Sequence, residues 1–343
     1  MPKLLPGALA AYGWTDRVLA QFNEFAEPTV EAARVVRVER SGSVAVFADG
    51  SDRFLQAAVL PAVGDWIAVR GVHVHAVLPR WSELARADPD GPVVQVLAAN
   101  IDVVLITAPA DRLSPARIER ELTLAWDSGA LPLVVLTKCD LTDESVEMSL
   151  AERLVGVDVV ATSVVNGRGV PEIRERLRPA RTAVLLGPSG AGKSTLANAL
   201  IGANVVATGE VRHRDHRGRH TTTSRQLVTV PGGGVLIDTP GLRSLGLAGD
   251  APVERAFPEI ETLATGCRFS DCRHDAEPGC AVVAAAASGE LDNGRLVSFR
   301  KLQREAAAEA RRSDPLLRRA ELSVWKARTR SARLNDKRRR PGG

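Results

Sequence analysis

Nine consecutive residues, Gly187-Pro188-Ser189-Gly190-Ala191-Gly192-Lys193-Ser194-Thr195, carry the plainest chemistry in this sequence. They follow the apolar run Ala183 to Leu186 and lead into a helical stretch, the setting that a phosphate-binding loop requires. Glycines let backbone N–H groups turn inward around phosphate oxygens, and the N-terminus of the following helix adds positive potential. In such a loop Lys193 reaches the β and γ oxygens of a nucleoside triphosphate, and the Ser194 hydroxyl ligates Mg2+.

Three further stretches end apolar runs in the same manner. Asp238-Thr-Pro-Gly241 follows Val235 to Ile237, which places a carboxylate where it can hold magnesium through water and sets Gly241 beside a γ-phosphate. Thr137-Lys138-Cys139-Asp140 follows Leu133 to Leu136. Asp140 can accept from both guanine N1–H and the exocyclic amine, paired donors that adenine lacks, so a carboxylate here selects guanine. Ser163 and Val164, after Asp158 to Ala161 and before Gly167-Arg-Gly169, supply a second loop on the base side.

A separate constellation lies downstream. Cys267, Cys272, His274 and Cys280 follow the pattern Cys-x4-Cys-x-His-x5-Cys and include three of the four cysteines in the chain. Three thiolates and an imidazole make a closed tetrahedral set with no open position for a catalytic water, so the expected ion is one structural zinc. Such an ion contributes on the order of 10 kcal/mol to the folding of a segment poor in core residues.

The elements that must position these residues fall into three stretches. Between 34 and 78, short β-rich runs (Val35 to Val38, Val44 to Phe47, Phe54 to Ala57, Trp66 to Val69, Val72 to Val77) alternate with turn signals. They predict a small five-stranded barrel, OB-like rather than SH3-like, whose usual ligand is an oligonucleotide; a barrel that serves only as a spacer is the alternative. From Val93 onward, apolar runs at Val103 to Thr107, Leu133 to Leu136, Asp158 to Ala161, Ala183 to Leu186 and Val235 to Ile237 alternate with helical stretches at Ser114 to Trp126, Pro171 to Leu177 and Lys193 to Leu200. That alternation predicts a doubly wound α/β domain with a mostly parallel sheet. After Asp250 the chain turns helical and cysteine-containing, with strong helix formers from Arg295 to Arg312 and a break at Asp314-Pro315. The expected division is therefore 1–90 for an N-terminal extension and barrel, 91–250 for the α/β domain, and 251–343 for a helical zinc-binding domain with a basic tail.

Charge and hydropathy narrow the setting. No uninterrupted apolar run reaches the roughly 18 residues of a membrane span, and Met1 to Ala20 lacks a charged-then-apolar leader, so the expectation is a cytoplasmic protein with no membrane partner. The net charge is only +4, yet Arg311 to Gly343 holds twelve Lys or Arg against three Asp or Glu. A tail of that kind either binds polyanions or is simply a solvated end.

The order of the motifs identifies the class. The base-reading stretches at 137–140 and 163–164 precede the phosphate loop and the Asp-Thr-Pro-Gly element, as in a circularly permuted GTPase. With the N-terminal barrel, the Cys/His cluster, Gly64-Asp65-Trp66, Gly218-Arg-His-Thr-Thr-Thr223 and Cys267-Arg-Phe-Ser-Asp-Cys-Arg-His274, the chain closely resembles the ribosome small-subunit-dependent GTPase A (RsgA, also YjeQ) family from about Val35 to Glu305. The resemblance implies GTP hydrolysis in late maturation of the 30S ribosomal subunit, stimulated by that subunit and coupled to release. It also implies GTP or GDP with Mg2+ and Zn2+ as ligands, and 30S with its 16S rRNA as partner; a monomer is expected.

Two positions depart from the family pattern. Thr137 replaces the usual Asn, and a hydroxyl supplies only part of a carboxamide's hydrogen bonding, so guanine specificity is expected to rest on Asp140. Ser163-Val164 stands for Ser-Ala, a change that leaves the backbone N–H facing guanine O6 in place.

The hydrolytic group is a separate matter, because Leu242 occupies the place after Asp-Thr-Pro-Gly where many GTPases carry a water-orienting Gln. His220 resembles the proposed catalytic histidine of the family; the other reading makes it part of a basic loop with Arg212, His213, Arg214, His216, Arg217 and Arg219 that binds RNA phosphates. Thr222, with Thr221 as nearest competitor, is the expected threonine on magnesium and the γ-phosphate.

Transporter ATPases and nucleotide kinases share this type of phosphate loop, but no Leu-Ser-Gly-Gly-Gln run and no Glu after Asp238 are found. An RNA-binding scaffold that keeps GTP as a structural ligand is the third reading.

Overall fold

Alternating apolar residues between 30 and 77 fold into five strands that close on themselves, antiparallel along four ladders and parallel at the closing bridge. The computed structural model describes residues 6–39, 41–56, 61–87, 94–202, 225–238, 245–247 and 250–313. Strand β1 (Val30–Glu39) pairs on one edge with β2 (Gly42–Phe47) and on the other with β4 (Trp66–Arg70); β2 carries β3 (Asp52–Leu55), and β4 carries β5 (His73–Val77). Just past β3, Gln56 donates its N–H to the Val72 carbonyl (3.0 Å) and accepts from the Val74 N–H (3.1 Å), which joins β3 to β5 and completes the ring. Every other residue points inward, and Ala33, Val35, Ala45, Phe47, Leu55, Ile67 and Val69 fill the interior.

A hairpin absent from the sequence-based expectation follows, β6 (Glu83–Ala87) with β7 (Val94–Ala99). The expected boundary near residue 90 lies between these two paired strands.

The α/β part is built on β8 (Val103–Pro109), β9 (Leu131–Thr137), β10 (Val159–Ala161), β11 (Thr182–Leu186) and β13 (Val235–Asp238), all parallel, with β12 (Gln226–Thr229) antiparallel to β13. The order across the sheet is β10-β9-β8-β11-β13-β12. The strand leading to the phosphate loop is thus central although it comes fourth among the parallel strands in the chain. Odd-numbered residues Val103, Leu105, Leu133, Val135, Ala183 and Leu185 bury against Ile173 and Leu177 of α4 (Val170–Arg176) and Leu196 and Leu200 of α5 (Lys193–Ile201). The opposite parity faces α2 (Pro115–Asp127), whose buried Ile118, Leu122 and Ala125 recur at helical spacing. The sheet is mixed rather than mostly parallel throughout, because β12 also pairs with β1 through Arg37 and Gln226, so one set of ladders runs from β10 into the barrel.

The chain separates into two compact units, Met1–Leu245 and Gly246–Gly343. In the second, α6 (Pro258–Ala264), α7 (Ala281–Ser288) and α8 (Asn293–Ser313) surround buried Phe257, Ile260, Val282, Leu296, Phe299 and Leu302, with the Phe257 and Phe299 rings edge to face at 5.3 Å. This segment therefore has an apolar core of its own, richer than its sequence suggested. No helix among the described residues is long and apolar enough to cross a membrane.

Within the first unit, the barrel meets the α/β strands around Gly64-Asp65-Trp66. Gly64 (φ +93°) packs so closely that a Cβ there would lie 2.3 Å from the Ala99 carbonyl oxygen, which only glycine tolerates. Its carbonyl accepts from Arg34 Nε (3.3 Å) and Asn100 Nδ2 (3.1 Å). Asp65, fully buried, receives a bidentate pair from Arg80 (2.7 and 2.8 Å) and the Ala62 N–H. The Trp66 ring lies under the Arg34 guanidinium, 4.8 Å from its centroid. Arg34 is itself fully buried and donates to the Tyr12 carbonyl and to Thr182 Oγ1 (2.8 Å), the first residue of β11. Burial draws its pKa down to about 10, with Asp102 and Asp65 pulling it back upward, so it remains charged at neutral pH.

Replacing Arg34 by Met keeps the stem but removes the donor to the Tyr12 carbonyl and the Thr182 hydroxyl, while the Gly64 carbonyl keeps its bond from Asn100. The expected loss is about 3 kcal/mol, which in a unit of this size lowers the melting temperature by on the order of 10 °C. Calorimetry of the full chain measures it, and an unchanged transition would show that Arg34 does not join the two parts.

Candidate functional site

The phosphate loop forms where β11 ends. Gly187 (φ +140°), Gly190 and Gly192 take positive φ, and Gly192 caps α5 in the left-handed region. The first turn of α5 holds Lys193 and Ser194, both half-buried, with Thr195 exposed. Lys193 Nζ donates to the Gly187 and Pro188 carbonyls (2.8 and 2.6 Å), so its ammonium lies against the loop it serves. Pro188, Ser189 and Ala191 complete the turn, which the Ala191 N–H closes onto the Pro188 carbonyl (3.3 Å).

Asp238 is the last residue of β13, beside β11 with Val184 opposite Ile237, so its carboxylate emerges at the same edge of the sheet as the loop. Burial raises its pKa above the ordinary carboxylate range, while the nearby Lys193 ammonium opposes that shift. A partly buried carboxylate near a lysine and a helix N-terminus with a serine hydroxyl is a hard-oxygen set suited to magnesium.

The base-side residues sit two and three strands away. Thr137 ends β9 and is buried, with its Oγ1 donating to the Ala191 carbonyl of the phosphate loop at 2.7 Å and lying 3.4 Å from the Ala108 carbonyl. Lys138 then adopts φ +59°, with its ammonium 3.7 Å from Asp111. This reversal brings Asp140 to an exposed position in a short 3-10 turn. Ser163, buried after β10, donates from Oγ to Asp140 Oδ1 at 2.6 Å. A carboxylate steadied on one oxygen and open to solvent can receive a planar pair of donors. Val164 is partly exposed beside it.

All described members of the expected nucleotide site thus line one edge of one sheet. Gly241, Leu242, His220, Thr221, Thr222, Thr223 and the arginines between 212 and 219 lie outside the described residues, as does the tail beyond 313. Sequence reading missed Thr107, a buried residue of β8 whose Oγ1 donates to the Leu186 carbonyl at 2.7 Å; a threonine inside an apolar run carries no distinguishing signal.

In the second unit, Cys267, Cys272, His274 and Cys280 converge, with all ligating atoms within 4.8 Å of one another. Cys267 Sγ lies 3.9 Å from Cys280 Sγ, and His274 Nδ1 lies 3.6 and 3.5 Å from these two sulfurs. A tetrahedral zinc with ordinary bond lengths requires edges of about 3.8 Å between sulfurs and about 3.5 Å between sulfur and nitrogen. The donors fit. Desolvation, the hydrogen bonds of Cys280 and Cys267 and the charge of Cys280 push Cys272 up to about 11 against an opposing hydrogen bond from the His274 backbone, so a cation is what would favour all three thiolates together. Burial lowers His274, which favours the neutral imidazole that binds metal.

Two supports of this cluster leave no trace in the residue pattern. Glu277 accepts from the N–H groups of Arg273, Asp275 and Ala276 (3.0, 2.8 and 3.2 Å) and folds the loop between Cys272 and Cys280. Arg300 of α8 donates to the carbonyls of His274 and Asp275. Cys280 caps α7, where its sulfur accepts from the Val283 N–H (3.4 Å) at the positive end of the helix.

Comparison with known proteins agrees with this geometry. The RsgA GTPase family model matches residues 77–248. A small ribosomal subunit biogenesis GTPase RsgA from Opitutus terrae is 43% identical, covering 93% of this chain and 95% of its own length. A protein of the same name from Streptomyces coelicolor is 46% identical over 87% of this chain and 86% of its own. Among solved structures, YjeQ from Thermotoga maritima shares the fold with a TM-score of 0.62 at 24% identity, covering 81% of this chain and 98% of that one. YloQ, described as a circularly permuted GTPase, does so at 0.58 and 23%, covering 83% and 96%.

Proposed function

Because the chain belongs to the RsgA GTPase family, and is thus a GTP-hydrolysing enzyme of small ribosomal subunit biogenesis, we propose that it acts late in 30S maturation, with hydrolysis stimulated by the subunit and coupled to release. The observation that carries this reading is the convergence of Lys193, Ser194, Asp238, Asp140 and Ser163 at the C-terminal edge of one sheet.

In this proposal the loop Gly187 to Thr195 cradles the phosphates and Lys193 faces the β and γ oxygens. Asp140, steadied by Ser163, reads guanine; Thr137, Lys138 and Val164 form the surrounding wall. Ser194, Thr222 and, through water, Asp238 would hold magnesium, which would supply positive charge to the transferring phosphoryl group. Gly241 adjoins the γ-phosphate. His220 positions the attacking water, because Leu242 offers no hydrogen bond.

The Cys267, Cys272, His274 and Cys280 cluster holds one structural zinc. The chain is assigned as a cytoplasmic monomer whose partners are the 30S subunit and its 16S rRNA. Its layout is assigned as barrel (1–90), permuted GTPase (91–250) and zinc-binding helical part with a basic tail (251–343). The closed five-strand ring fits an OB-like oligonucleotide binder.

Three measurements test these assignments. Asp140→Asn is expected to shift preference from GTP towards XTP, since an amide presents a donor where xanthine has a carbonyl; equal GTP affinity with no gain for XTP would remove Asp140 from the base site. Elemental analysis is expected to find one zinc per chain, lost in Cys272→Ala while GTP affinity persists; native protein without zinc rules the metal out. His220→Ala should lower 30S-stimulated kcat by ~10²-fold with nucleotide affinity scarcely changed. Full stimulated turnover in the subunit-bound variant would return His220 to the RNA-contacting loop, and loss of subunit binding would support the same alternative.

A further inference from the structure

We propose that Thr107 and Thr137 are positioning residues that brace the phosphate loop at its two ends, so that Thr137 serves nucleotide affinity through the phosphates and not through guanine. The inference rests on the GTP-binding reading above and adds to it a role for two hydroxyls.

Both threonines sit near the C-terminal ends of adjacent parallel strands, Thr107 on β8 opposite Val135, and Thr137 on β9 opposite Pro109. Both are buried. Thr107 Oγ1 donates to the Leu186 carbonyl at 2.7 Å, the last residue before the loop. Thr137 Oγ1 donates to the Ala191 carbonyl at 2.7 Å, the last loop residue before the Gly192 cap. Between these two tethers lie Gly187 to Gly190. The loop start is also seated on Thr107, since a Cβ at Gly187 would fall 2.2 Å from Thr107 Oγ1 and 2.5 Å from its carbonyl oxygen. At the other end, Gly192 faces Thr137 at ordinary contact distance, 3.8 Å from a Cβ position.

A glycine-rich loop has many accessible backbone conformations, and its N–H groups bind phosphate well only when held in one of them. Two buried hydrogen bonds to backbone carbonyls at its ends remove much of that freedom before the ligand arrives.

The count of protons on Thr137 argues for the same division of labour. A threonine hydroxyl has one donor, whereas the family's Asn has two. The acceptors that guanine presents, N7 and O6, need a donor. Thr137 has committed its only proton to Ala191, so it has none to offer the base. The hydroxyl of Thr137 is spent on the phosphate loop and offers guanine no donor, leaving base selection to Asp140 and Ser163.

The test uses the full-length chain, titrated calorimetrically with GDP, a non-hydrolysable GTP analogue and 7-deaza-GDP, whose base lacks the N7 acceptor. Thr137→Val removes the hydroxyl at nearly constant shape and strands the Ala191 carbonyl. It is expected to weaken GDP and the GTP analogue alike by about tenfold, with the GDP-to-7-deaza-GDP affinity ratio unchanged. Thr137→Ser restores affinity to within about twofold, which a merely space-filling role would not do. Thr107→Val, acting at the other end of the loop, gives a similar uniform loss, and it carries the test should Thr137→Val fail to fold. Unchanged GDP affinity in Thr137→Val or, if that variant does not fold, in Thr107→Val overturns the brace, as does a fall in the GDP-to-7-deaza-GDP ratio in place of a uniform loss. Failure of the unmodified chain to bind GDP would instead defeat the GTP-binding reading.

Discussion

Arg34 is the charge on which the first unit is organised. A guanidinium with no exposed surface carries a desolvation cost of several kcal/mol, and it persists only where geometry supplies compensation on every side. Here the compensation comes from three segments far apart in sequence: the Tyr12 carbonyl of the N-terminal turn, the Gly64 carbonyl of the barrel and the Thr182 hydroxyl at the start of β11. Trp66 closes one face, and Asp102 and Asp65 provide the counter-charge. Thr182 in turn donates its N–H to Asp102 Oδ2 at 2.7 Å. The strand that ends in the phosphate loop therefore begins on a buried ionic network shared with the barrel, and neither part can rotate against the other without exposing or stranding that charge.

The permuted order makes such a joint necessary. β11 enters the sheet fourth among its parallel strands, yet it occupies the centre, between β8 and β13. Strands β8 to β10, the last two of which lead into the stretches proposed to read the base, are complete in sequence before the phosphate loop is reached. β12 and β13, which flank the remaining phosphate-side segments, come after it and would leave β12 as an open edge. Strand β1 of the barrel covers that edge through the pairing of Arg37 with Gln226. An unpaired edge is a template for association with other chains, and covering it is one way a protein removes that hazard. The barrel thus has a structural use in this fold whether or not it also touches RNA.

Much of this was legible in the residues themselves. Apolar runs placed all five barrel strands and the parallel strands to within a few residues, because burial on one or both faces forces a period of two or a continuous run. The phosphate loop, Asp238, Asp140 and Ser163 were readable because their chemistry needs those types directly after strands. The β6–β7 hairpin escaped notice, since Glu83 to Ala87 mixes charged and small residues and shows no regular alternation. So did the antiparallel strand β12 and its bridge to β1, because a register between strands nearly two hundred residues apart leaves no local trace. Gly64-Asp65-Trp66 was visible as a motif, but its work as backbone approach, buried carboxylate and cation-facing ring could not be read from three letters. Glu277 and Arg300 act on backbone groups of the Cys/His loop, and contacts to backbone impose no pattern on the residues contacted.

The charges at the phosphate edge show how a site of this kind is held ready. Lys193 donates to two carbonyls of its own loop, which keeps the ammonium pointed inward. Phosphate oxygens are anionic and make shorter, stronger bonds to an ammonium than neutral carbonyls do. Asp238 follows the same logic from the other side. Burial raises its affinity for a proton, and the lysine ammonium only partly offsets this. A divalent cation would replace the proton as the group that neutralises the carboxylate, so the desolvation that makes Asp238 costly as a free anion would favour metal there. The chain places one group that prefers an anion in the helix that follows β11 and one that prefers a cation at the end of the adjacent strand β13, a pair that a magnesium-bound triphosphate would answer at once.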